Sequence, residues 1–137
     1  MSRRIVRRSL SAAAVCALSA GLAAAPAMAA SSHKVSWKAK GGTEGNTLTM
    51  AITGKPFSGC KGVGTFNADQ TSQYEWKCPG GSTVNIHLVG KCGLNEVQCG
   101  SWEFTGGSGK WKKLSGKGTF SGRLSTGVLT FKGTAKY

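Results

Sequence analysis

The sequence predicts an all-β domain: a small antiparallel up-and-down β-barrel of about eight strands, held by two disulfides, with a β-sandwich as the alternative. Three observations predict it. Apolar residues recur at every second position through most of the chain after residue 30, and no stretch sustains a helical period. Turn signals separate these runs at intervals of about eight to twelve residues. Glycines fall inside the runs, at Gly118, Gly122 and Gly133, as the tight bends of a small barrel require. Closure also removes the edge strands that a β-protein must otherwise protect.

The domain is preceded by a segment of a different kind. Arg3, Arg4, Arg7 and Arg8 make a basic stretch, Leu10 to Ala24 an apolar one, and Ala27-Met28-Ala29 a small-x-small cleavage site. Residues 1–29 therefore read as a secretory signal peptide, and residues 30–137 as a single barrel domain. The apolar stretch is shorter than the roughly 20 residues that a spanning helix needs. Val6 and Arg7 match a twin-arginine signal poorly, so Sec export is the better fit. The composition resembles that of a bacterial export signal, and the expected location is secreted, outside the cell.

Fourteen lysines and arginines follow the signal, against five acids, and thirteen of the fourteen are lysine. Lysine is a hydrated point charge, whereas arginine makes forked contacts with phosphate and carboxylate. Such a surface favours unspecific attraction to polyanions over base reading, or plain solubility. Four cysteines remain after Cys16 leaves with the signal: Cys60, Cys78, Cys92 and Cys99. An even number in a small exported chain reads as two disulfides. Three connectivities are open, and the short loops Cys60–Cys78 and Cys92–Cys99 are favoured because they close most readily. No Cys-x-x-Cys pair supports zinc, and no metal or cofactor is expected.

The strands follow in order. Lys34 to Lys40 places Val35, Trp37 and Ala39 inward and the lysines outward, until Gly41-Gly42 breaks it. Thr47 to Thr53 turns Leu48, Met50 and Ile52 inward, and Gly54-Lys55-Pro56 is a turn. Val63 to Ala68 and Ser72 to Cys78 come next, the second with Tyr74 and Trp76 on one face and Glu75 on the other. After Pro79-Gly80-Gly81, Thr83 to Val89 points Val84, Ile86 and Leu88 inward. Lys91 to Gly100 is irregular. Ser101 to Thr105 gives Trp102 and Phe104 one face, and Lys117 to Leu124 does so for Phe120 and Leu124. A short loop with Gly127 at a positive φ leads to the last strand, where Leu129, Phe131, Gly133, Ala135 and Tyr137 face in.

One segment carries a resemblance. Gly106-Gly107-Ser108-Gly109-Lys110-Trp111, followed by Leu114-Ser115-Gly116-Lys117-Gly118-Thr119-Phe120-Ser121-Gly122, resembles the glycine-rich part of the allene-oxide-cyclase-like and dirigent-like β-barrels. Phe131 to Tyr137 is similar to their final strand. The resemblance implies an eight-stranded barrel with a central cavity. It transfers no activity, because no catalytic residue of the plant cyclases matches a position here, and the two disulfides depart from that family. The secreted Ig-like chromoprotein carriers also have two disulfides, but their cysteine spacing and acidic charge differ.

Chemistry-bearing patterns are sparse. His33 lies at the start of the domain, and His87 is out of phase with Val84, Ile86 and Leu88. The acids are scattered, no serine sits in a nucleophile elbow, and Gly106 to Gly109 lacks the ending of a phosphate loop. No catalytic residue is assigned. Trp111, flanked by Lys110, Lys112 and Lys113, plugs a barrel end or stacks on a sugar or base. Lys34, Lys38, Lys40, Lys132 and Lys136 meet on one exterior patch if the first and last strands pair, with like charges facing across them. Three functions are expected in turn: a non-enzymatic binding protein for a small molecule or saccharide in the cavity or mouth, a lysine-patch binder of polyanions such as cell-wall polymer or nucleic acid, and a cyclase-type barrel enzyme.

Overall fold

The computed structural model describes residues 31–45, 47–93 and 95–137. The signal-peptide reading of residues 1–29 lies outside the described residues. Eight strands run in chain order: β1 Ser32–Glu44, β2 Thr47–Thr53, β3 Lys61–Phe66, β4 Thr71–Lys77, β5 Thr83–Gly90, β6 Val97–Gly107, β7 Ser115–Arg123 and β8 Val128–Lys136. Each pairs antiparallel with its sequence neighbour, and β1 pairs with β8, so the sheet is a closed up-and-down barrel. A single 3₁₀ turn, Gly109–Trp111, interrupts the β6–β7 connection. No helix among the described residues is long and apolar enough to cross a membrane.

Alternation fills the interior. Trp37, Trp76, Phe57, Phe131, Ile86, Val84 and Cys60 are the largest fully buried side chains. Trp37 stands at the middle, with the rings of Phe57, Trp76, Trp102, Phe104 and Phe131 centred 4.7–5.8 Å from its own. Aromatic pairs in such edge-on and offset arrangements each add about 0.5–1.5 kcal/mol beyond the area they bury.

The in-strand glycines have a more specific task than bending. Gly62 and Gly64 of β3 stand opposite Trp76 and Tyr74 of β4; Gly100 of β6 stands opposite Phe120, and Gly118 of β7 opposite Trp102. A Cβ on Gly62 would lie 2.6 Å from the Trp76 ring, and one on Gly133 would lie 2.7 Å from that of Trp102. An eight-stranded barrel is only just wide enough for side chains to fill, so where it is packed a large ring at one position needs a small residue beside it. Trp102 lies on the inner wall of β7 and β8, where its Nε1 donates to the carbonyls of Thr119 (3.1 Å) and Lys132 (3.3 Å).

Both disulfides take the short-loop pairing, Cys60–Cys78 and Cys92–Cys99. Some boundaries differ from expectation. Gly41-Gly42 does not end β1; both stay paired with β2, and the chain reverses beyond Glu44, at Gly45 with φ 61°. The irregular segment yields to β6 at Val97, which pairs with Arg123. Leu124 was expected inside but stands beyond the end of β7 and is 59% exposed; Tyr137, also expected inside, lies past the end of β8 and is 39% exposed.

Candidate functional site: the open mouth of the barrel

The two ends of the barrel differ. At one end, the β2–β3 loop folds Phe57 into the lumen, and the 3₁₀ turn folds in Trp111, with ring centroids 5.0 Å apart. Leu114 is buried beside them. The Cys60–Cys78 bridge ties the β2–β3 loop to the end of β4. Ser82 Oγ accepts the Lys110 N–H at 3.1 Å, and Ser108 Oγ accepts that of Thr83 at 3.2 Å, anchoring the β6–β7 connection. This end is sealed.

The opposite end is open. A cleft of about 480 Å³ enters the barrel between Gly41, Leu48, Met50, Tyr74, Gln98 and Leu129, with Phe66, Leu124 and Arg123 on its rim. Met50 and Tyr74 are buried at its floor, Leu48 and Leu129 are half-buried walls, and Phe66 is 49% exposed. A smaller recess beside it shares Phe66, Tyr74, Gln98 and Leu129 and reaches Leu88 and Phe120. The glycines on the lumen side here, Gly41, Gly64, Gly100 and Gly122, leave the walls thin. Partial burial raises the Tyr74 phenol above its ordinary pKa of 10.0, so it stays protonated across the physiological range. Its hydroxyl makes no hydrogen bond among the described residues.

The rim is stitched. Gly41 N–H donates to Gly127 O at 2.7 Å, and Leu124 N–H to Glu96 O at 2.9 Å. The Glu96 carboxylate accepts from the Ser125 hydroxyl and backbone N–H, tying the β5–β6 loop to the β7–β8 turn. Gln98 Nε2 donates to Asn95 O at 2.7 Å, which leaves its Oε1 without a partner among the described residues. The Cys92–Cys99 bridge clips the same loop. A mouth held in this way costs little ordering when something enters it.

The residues singled out by sequence fall elsewhere. Trp111 is 2% exposed, so its ring plugs the sealed end and offers no stacking face. Lys110 Nζ lies 4.6 Å over that ring, while Lys112 and Lys113 are exposed beside it. Lys34, Lys38, Lys40, Lys132 and Lys136 all project from the outer wall of β1 and β8. The facing of like charges does not occur, because the register sets Lys34 against Thr134, Lys38 against Thr130, Lys40 against Val128, Lys132 against Ser36 and Lys136 against Ser32. His87 also faces out, with Nδ1 4.0 Å from Glu103 Oε1 on the neighbouring strand. The mouth was not read as a site from sequence: Leu48, Leu124 and Leu129 were read only as inward-facing, and Phe66 and Gln98 were given no role. The four apolar ones carry one local signal, apolar character at strand ends, and only the register brings all five together. Comparison with protein-family models, with curated proteins and with solved structures finds no match.

Proposed function

We propose that this is a secreted, non-enzymatic binding protein that takes a small, largely apolar molecule into the open mouth of its barrel. One observation carries the reading: the lumen is sealed at one end and opens at the other into an apolar cleft of about 480 Å³. That size lies within the range of about 300–1,000 Å³ typical of small-molecule sites, which likewise combine apolar walls with a few polar groups. Here the polar groups are the Tyr74 hydroxyl, Gln98 Oε1 and Arg123 at the rim. They suit a ligand with an apolar body and a polar or anionic end. A saccharide is less well served, because Trp111 is buried. Two disulfides accord with an oxidising compartment and hence with export.

Calorimetric titration with decanoate and with decanol tests this. Saturable binding with a stoichiometry of one is expected for both, and Arg123→Gln should weaken decanoate selectively. The double variant Phe66→Ser/Leu124→Ser should lose about tenfold, equivalent to removing about 1.4 kcal/mol of apolar contact. Lys110→Gln/Lys112→Gln/Lys113→Gln, at the sealed end, should change neither affinity. Absence of saturable binding up to millimolar ligand, or full affinity in the rim double variant, would overturn the proposal.

A further inference from the structure

The outer wall where the barrel closes carries a second feature, independent of the mouth. Over Ser32 to Lys38 on β1 and Thr130 to Lys136 on β8 the outward residues are lysines and small hydroxyls, and the register interleaves them. Lys136 stands in the row of Ser32, Lys34 in that of Thr134, Lys132 in that of Ser36, and Lys38 in that of Thr130. The four lysines therefore zigzag along the seam, each two residues further on and one strand across from the last. With a rise of about 3.3 Å per residue and strands about 4.8 Å apart, successive lysines stand about 8 Å apart and advance about 7 Å along the seam. Lys40 extends the line on β1. A complementary zigzag of Ser32, Thr134, Ser36 and Thr130 fills the alternate squares. On the other side of β8, β7 continues the pattern, setting Lys117 against Thr134 and Thr119 against Lys132.

Little neutralises these charges. All six lysines are exposed, and none is in an ion pair among the described residues. Glu44 stands at the far end of β1, and Glu103 faces Lys117 from β6. The outward positions of β1, β7 and β8 carry no aromatic side chain, and the exposed rings at the end of the seam, His33 and Tyr137, are stacked on each other, so a base finds no platform along the track itself. Lysines supply point charges rather than the forks that read base edges.

We infer that the β1–β8 seam is a docking track for an extended polyol phosphate chain, a polymer whose phosphodiesters recur singly along a hydroxylated backbone. The lysine zigzag meets successive phosphates, and the serines and threonines between them donate to phosphate oxygens or accept from polyol hydroxyls. The track is two strands wide, which suits one extended chain lying along it.

The test uses the protein from Ala30 onward with both disulfides intact, and synthetic poly(glycerol phosphate) as the probe. With four phosphates engaged, a logarithmic salt slope of about −3 is expected, a loss of about fiftyfold between 50 and 200 mM salt. The variant Lys34→Gln/Lys38→Gln/Lys132→Gln/Lys136→Gln should lose at least tenfold at 50 mM salt and flatten the slope. A charge-matched control, Lys55→Gln/Lys61→Gln/Lys77→Gln/Lys91→Gln, should stay within threefold of the parent, and arginine at the four seam positions should restore binding. The seam variant should still bind decanoate, which separates this inference from that for the mouth. No binding at low salt, or equal loss in the control, would overturn the track. Tighter binding of oligo(dT) of equal charge would overturn the polyol assignment in favour of nucleic acid.

Discussion

Gly133→Ala measures how tightly the inner wall is fitted. The added Cβ would press on the Lys117 carbonyl oxygen and lie 2.7 Å from Trp102 Cζ2 and 2.8 Å from Gly118 Cα. None of these neighbours can withdraw cheaply: two are backbone of a paired strand, and the third is a buried indole held by two carbonyls. Overpacking of this kind costs about 1–3 kcal/mol. Displacing the ring would strand the Trp102 N–H, at a further cost of about 1–3 kcal/mol. The smaller conformational freedom of alanine in the unfolded chain returns only about 0.4–1 kcal/mol. The net loss is about 2–4 kcal/mol, which lowers the melting temperature by roughly 10–25 °C for a domain of this size. Gly41→Ala is the control, because its Cβ meets nothing closer than Gly127 O at 3.6 Å. Chemical denaturation followed by tryptophan fluorescence, with the disulfides intact, compares the two. If Gly133→Ala unfolds within about 0.5 kcal/mol of Gly41→Ala, a difference too small for a core clash, the ring-on-glycine account of the wall is wrong.

Two further predictions concern the loops. Chain entropy assigns about 3 kcal/mol to the Cys60–Cys78 bridge and about 2 kcal/mol to Cys92–Cys99, so Cys60→Ser/Cys78→Ser should be the more destabilised pair in urea, and the reverse order would contradict this. Asp69 titrates below its ordinary value of 3.8, chiefly because the Thr71 hydroxyl donates to its carboxylate at 2.6 Å and the Thr71 N–H at 3.1 Å. Its contribution to stability is therefore present above the ordinary carboxylate pKa and lost as pH falls through the lowered folded value. Thr71→Val should raise the Asp69 midpoint in an NMR titration, and an unmoved midpoint would show that the hydroxyl is not the cause.

Much of the fold was legible because period two is a local property. Val35, Trp37 and Ala39, or Val84, Ile86 and Leu88, declare their face without reference to any other strand. The disulfide pairing was legible for a similar reason, since loop length is read along the chain. What depends on register was not. Gly118 and Gly133 looked like bends because the ring that lies across them, that of Trp102, comes from another strand. The lysines of β1 and β8 were placed on the correct side, but their interleaving with hydroxyls is set by the pairing of β1 with β8. The lysines that flank Trp111 left two readings open in the sequence, a plug or a stacking face, and one 3₁₀ turn decides for the plug by directing the ring into the lumen. The mouth was least legible of all. Leu48, Phe66, Tyr74, Gln98 and Leu129 come from five strands, and no one segment contains enough of them to signal a site.

The pairing of β1 with β8 has a consequence for how the chain folds. It joins opposite ends of the domain, whereas every other strand pair joins sequence neighbours. Contacts between distant segments form slowly, since the ends must be found before they are rewarded. Until then the growing sheet has two bare borders, and these are β1 and β8. A bare border is a template for another copy of the chain. Both strands bristle with lysine along that border, at Lys34, Lys38 and Lys40 on one and Lys132 and Lys136 on the other. Two unfinished molecules meeting β1 to β1, or β8 to β8, would bring these charges together without the interleaving that the β1–β8 register provides. The repulsion holds such pairs apart during the interval when the sheet is most open to them, and leaves each chain time to find its own other end.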